Sequence, residues 1–175
     1  MNIYPSFTGI HSFMSYKFST LRMDALRDSL WARLIGKNIT LAVFPEQAPE
    51  KSPNRRFIGV TDIPVDLIVG TLNRHDDFDH RFRPFKSYLR DRWVNTYLAL
   101  EKDGWSPIVV HKVGDNYYVE DGHHRVSVAR WLGMSLIQAK IWEYPIQIKQ
   151  SKECQPMRCV ERSSSKTYAT QYNSE

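Results

Sequence analysis

Val119-Glu120-Asp121-Gly122-His123-His124-Arg125-Val126-Ser127-Val128-Ala129-Arg130-Trp131-Leu132-Gly133 decides how this chain folds. It reads as the end of a strand, a tight turn at Asp121-Gly122, and a short helix whose first turn carries two imidazoles and a guanidinium. A helix N-terminus presents unpaired N–H groups and a partial positive charge, so it favours anions. Three donor side chains on that turn, His123, His124 and Arg125, make a phosphate cradle when Gly122 lets the backbone approach closely. The competing possibility is a well-capped helix: Asp121 caps it, Gly122 serves a left-handed turn, and His124 and Arg125 pair with neighbouring carboxylates. Cations at the positive end of a helix are disfavoured by roughly 0.3–1 kcal/mol each. An arriving anion would neutralise them, which favours the anion site.

The chain has 175 residues, 42% hydrophobic and 13% aromatic, enough for one principal domain with arms. Runs such as Ile39-Thr40-Leu41-Ala42-Val43-Phe44 are too short to cross a bilayer, and Met1-Asn2-Ile3-Tyr4-Pro5 does not open a signal peptide. The two cysteines, Cys154 and Cys159, lie in a polar stretch and make no disulfide framework, which fits a reducing, cytoplasmic setting. The net charge of +5 divides as +4 over residues 1–56, −1 over 57–144 and +2 over 145–175. The basic flanks could attract nucleic acid, although so small an excess is also ordinary solvation.

Residues 1–55 are expected to form an arm: about twenty aperiodic residues, a helix over 20–35 and a strand over 39–44. The helix is capped by Thr20, carries Leu26, Leu30 and Leu34 on its apolar face, and ends at Gly36. Three prolines in residues 45–54 mark a linker. The principal domain spans residues 56–144. A strand over 57–60 and an extended segment over 63–70 lead to a charged loop. A helix follows over 84–103, with Phe85, Tyr88, Leu89, Trp93, Tyr97 and Leu100 on its core face. Residues 108–113 and 117–120 then read as a hairpin across Gly114-Asp115-Asn116. The motif helix, with Val128 and Leu132 toward its core face, precedes an alternating strand over 137–142. Residues 145–175 are polar and read as a flexible tail, and no internal repeat is present.

A second constellation is Arg74-His75-Asp76-Asp77-Phe78-Asp79-His80-Arg81-Phe82-Arg83. Taken alone it reads as a solvated loop of alternating charge; if the fold brings it beside Asp121–Arg125, its carboxylates and histidines could supply a general base or oxygen ligands for Mg²⁺. The His75 to His80 spacing matches no zinc pattern, and no protein metal site is assigned.

Residues 57–144 resemble the ParB/sulfiredoxin-like family in the order Ile-Pro-Val-Asp-Leu-Ile, Arg/Asp-rich loop, helix, Pro-Ile-Val-Val, hairpin, Asp-Gly-His-His-Arg, and helix closed by a strand. Sulfiredoxins carry a catalytic cysteine before the His-Arg pair; His123 stands there, so sulfinic acid reduction is not implied. Partition ParB proteins follow this domain with a helix-turn-helix module, for which the residues after Tyr144 are too few. The archaeal free serine kinase is similar in carrying Asp-Gly-His-His-Arg in full. That similarity implies nucleotide phosphates held by Gly122, His123, His124 and Arg125, with a loop carboxylate as base. The family uses a glutamate after a histidine; this chain offers Asp76 after His75, with Asp77 as competitor.

The resulting expectation is an α+β protein, a small mixed sheet with flanking helices, that binds ATP, ADP or CTP with Mg²⁺ and acts as a phosphotransferase or NTPase on a small-molecule acceptor. Asp121, Gly122, His123, His124 and Arg125 bind the nucleotide. Asp76, Asp77 and His124 are the candidate catalytic groups. The alternatives are a non-enzymatic, ParB-like regulatory or DNA-associated binding module, and a metal-dependent nuclease built on the Asp/His loop.

Overall fold

The computed structural model describes residues 7–45 and 55–144. Helix α1 (Phe7–Leu34) leads to β1 (Ala42–Val43), β2 (Arg56–Pro64) and β3 (Ile68–Thr71). Helix α2 (Arg90–Lys102), the hairpin β4 (Ile108–Val113) and β5 (Asn116–Asp121), helix α3 (His123–Trp131) and β6 (Leu136–Tyr144) complete the order. The strands form one mixed sheet in the order β1-β3-β5-β4-β6-β2, with β1–β3, β3–β5 and β4–β6 parallel and β4–β5 and β2–β6 antiparallel. This is the expected α+β class, and the order of elements over residues 56–144 is the one the resemblance implies. The linker 46–54 and the tail 145–175 lie outside the described residues.

Along β6, Ile137, Ala139 and Ile141 are buried while Leu136, Gln138 and Lys140 are exposed, so a period of two turns one sheet face inward. Side chains from all three helices join that face in a single core. Trp93 of α2 is its hub: its ring lies 5.9 Å from Phe18 of α1 and 5.5 Å from Trp131 of α3. Its buried indole N–H donates to Ser127 Oγ at 3.0 Å.

The structure departs from the sequence reading in several details. In the N-terminal segment Met14, Phe18 and Leu41 belong to the common core, and β1 pairs with β3. Helix α1 starts at Phe7, Thr20 lies mid-helix with its hydroxyl on the Tyr16 carbonyl, and Leu30 and Leu34 are exposed. Met14, Phe18 and Ala25 form its core face instead. A second apolar stripe on the opposite side masks the period in the sequence. Tyr88 and Leu132 are exposed rather than core.

The charged loop is folded, not solvated. Asp79 is fully buried and accepts the backbone N–H groups of Arg81 and Arg83 at 3.0 and 2.7 Å. It also accepts Arg83 Nε at 2.7 Å, and Arg83 reaches Asp28 on α1 at 2.9 Å. Phe78 and Phe82 fill the space beneath, with Phe82 in the left-handed region at φ 58°. Asp79→Ala is expected to lower unfolding stability by on the order of 3 kcal/mol, because it leaves two backbone donors without their acceptor and takes from the half-buried Arg83 guanidinium one of its two carboxylate partners. A urea midpoint unchanged from the parent would contradict this.

Candidate functional site

The strand-to-helix turn is built around Gly122, whose φ of 108° lies in the left-handed region. A Cβ there would collide with the Ile108 side chain of β4 and crowd Arg125 Nε. The glycine thus serves the turn and the packing of Ile108, and it also lines the cleft at the start of α3. Asp121 does not cap α3, which has no side-chain cap. Its carboxylate takes the Arg125 guanidinium instead. Arg125 also donates to the carbonyls of Ser106 and Pro107 and to Ser106 Oγ at 3.1 Å. Its charge is therefore largely committed to holding the start of α3 against the segment leading into β4.

Both imidazoles are buried and neutral at pH 7. Burial, and then the charge of Arg74, lowers the His123 pKa to about 4. Burial, followed by Arg92 and Arg74, does the same for His124, also to about 4. The excess of cations inferred at the helix start thus reduces to one, and Asp121 balances it. His123 Nε2 lies 2.7 Å from Thr71 Oγ1, which also accepts the N–H groups of Asn73 and Arg74 at 3.2 and 3.1 Å. With both lone pairs so used, the hydroxyl donates to Nε2, and the His123 proton resides on Nδ1. His124 is different. Its ring meets Phe78 edge-on, and neither ring nitrogen has a hydrogen-bond partner among the described residues.

His124 forms part of the wall of a cleft of about 170 Å³ at the N-terminus of α3. Arg74 in the loop after β3, Arg92 on α2 and Arg125 line it, together with the carboxylates Glu120 and Asp121. Arg92 is exposed and forms no ion pair among the described residues. Sequence reasoning missed Arg92, Thr71 and the placement of Arg74. Only the packing of α2 and β3 around α3 brings them to the turn.

The loop carboxylates part company. Asp77 accepts Arg74 at 3.2 Å and the Tyr88 hydroxyl at 2.6 Å, and this bond holds the phenol above its usual range. Asp77 also acts electrostatically on both His123 and His124. Asp76 is exposed, pairs with His75 at 3.1 Å, and faces a different groove beside Arg22 and Lys86. Neither Asp76 nor Asp77 lines the cleft; Asp77 is joined to it through Arg74. Glu120, at the cleft rim, accepts His111 Nε2 at 2.7 Å. No described helix is long and apolar enough to cross a membrane.

A solved structure, sulfiredoxin from Arabidopsis thaliana, is similar over 49% of this chain and 85% of its own, with 23% identity and a TM-score of 0.38. No family model and no curated protein matches the chain.

Two outcomes follow from this geometry. Arg125→Ala is expected to destabilise the fold by on the order of 1–3 kcal/mol, since it leaves Asp121 and the carbonyls before β4 without their donor. An unaltered denaturation midpoint would overturn the structural role. Because the native imidazoles bind protons only near pH 4 while unfolded ones do so near pH 6.5, their contribution is fully present above pH 6.5 and is lost as pH falls toward 4. The urea midpoint should drop between pH 7 and pH 4.5, and less steeply in His124→Gln; parallel profiles would contradict the assignment.

Proposed function

We propose that the cleft at the start of α3 binds the phosphate end of a nucleotide: ATP, ADP or CTP. The carrying observation is His124, 7% exposed at the cleft wall with both ring nitrogens unpartnered among the described residues. A neutral imidazole retains one donor and one acceptor, and leaving a buried polar group unmet costs roughly 1–3 kcal/mol. A phosphate oxygen accepting its N–H relieves that cost. The uncapped N–H groups of α3 and the guanidinium groups of Arg74 and Arg92 supply the remaining attraction. A cleft of about 170 Å³ is below the ~300–1,000 Å³ of sites that enclose a whole drug-sized ligand. It suits one or two phosphate groups, with sugar and base outside. Glu120 and Asp121 are already engaged by His111 and Arg125, so Mg²⁺ would enter as part of the nucleotide complex.

Transfer of the phosphoryl group to a small acceptor is a second reading, favoured by Asp77. It is the loop carboxylate coupled to both histidines, held by Arg74 and Tyr88, and suited to orient or deprotonate a hydroxyl. A binding module without turnover would use the same cleft and leave Asp77 as a clamp for Arg74.

Thermal unfolding with ATP, ADP and CTP, with and without Mg²⁺, tests the binding. At a hundredfold excess over Kd one of them should add ~2.7 kcal/mol of apparent stability. Arg92→Ala should abolish the shift while moving the ligand-free midpoint by no more than ~0.5 kcal/mol. No shift with any nucleotide, or an undiminished shift in Arg92→Ala, refutes the proposal. A DNA-binding role would instead show affinity falling steeply with salt.

A further inference from the structure

Helix α1 has two apolar faces, and only one of them meets the core. Met14, Phe18, Ala25 and Ala32 point into the domain. On the opposite side Phe13, Tyr16, Met23, Leu30, Trp31 and Leu34 are between 55% and 79% exposed. Phe13, Tyr16, Thr20, Met23, Arg27, Leu30 and Leu34 follow a strict alternation of three- and four-residue steps across the length of the helix. A globular surface helix needs no second apolar stripe, and a three-four repeat is the spacing of a helix–helix seam. Six large side chains, ~150–250 Å² each for the aromatics, leave on the order of 600 Å² of apolar surface per copy. That approaches the ~800 Å² per partner of a standard interface.

We infer that this face of α1 pairs with the same face of a second copy of the chain, the two helices running antiparallel about a two-fold axis level with residues 21 and 22. The charges select the occupant and its direction. Parallel pairing would stack Arg27 on the partner's Arg27, a like-charge contact in the seam. Antiparallel pairing instead sets Arg27 on the ring of the partner's Tyr16, Phe13 on the partner's Leu30, and Thr20 beside the partner's Met23. Along one flank of the stripe it brings Lys17 opposite the partner's Asp24, and the symmetry makes that ion pair twice. At present Lys17 Nζ lies over the Phe13 ring at 5.1 Å, and Asp24 accepts Arg27 of its own helix at 3.1 Å. Both charges thus already stand beside the apolar stripe. The pairing is independent of the nucleotide cleft, which lies among β3, α2 and the start of α3.

Sedimentation velocity of the full chain, from micromolar to hundreds of micromolar, is the test. A concentration-dependent monomer–dimer equilibrium is expected. Met23→Glu and Leu30→Glu should each weaken it by about tenfold or more, with the circular dichroism and melting of the monomer preserved because both side chains face outward. Lys17→Glu alone and Asp24→Lys alone should each weaken dimerisation by roughly three- to tenfold, and the double swap should restore it. A chain monomeric at every concentration overturns the inference, as does a dimer indifferent to Met23→Glu and Leu30→Glu. Dimers lost in both single charge variants and not recovered in the double swap overturn the antiparallel register.

Discussion

The contact on which the site depends is that of Gly122 with Ile108. A residue with a side chain could neither adopt φ 108° without strain nor share that space with the Ile108 side chain. Because the turn closes there, α3 starts directly off the end of β5 and its first residues line the cleft. Arg125 then locks the geometry by joining Asp121 to the carbonyls of residues 106 and 107. The guanidinium is thus a brace for the start of α3 as well as part of the cleft lining.

Burial redistributes the charge of the site. Two histidines that look cationic in the sequence are held neutral, chiefly because desolvation disfavours the charged form. His123 is satisfied by Thr71, whereas His124 is left with its hydrogen-bonding capacity unmet among the described residues. The charge that reaches the cleft sits on Arg74 and Arg92, from segments well before the motif. Arg74 in turn holds Asp77, so the same arginine lines the cleft and pairs with a loop carboxylate.

Helix α1 contributes in a different way. It inserts Met14 and Phe18 beneath α2, and through Asp28 it reaches Arg83 and the buried Asp79 of the loop. The N-terminal segment therefore shapes the domain from within. Its outward stripe remains available for contacts beyond the domain.

Local sequence alone determined the hairpin, the turn at Gly122, the start of α3 and the alternation of β6, because each rests on short-range periodicity or on a residue with a special backbone preference. The overall α+β class followed from the order of those elements. Helix α1 was concealed over its first half because apolar residues on two opposite faces cancel the period that reveals a helix. Tertiary structure alone decided the charge states of His123 and His124, the use of Arg125 as a brace, the recruitment of Arg74 and Arg92, and the separation of Asp77 from Asp76. Those properties depend on burial and on partners up to some fifty residues away, which spacing along the chain does not record.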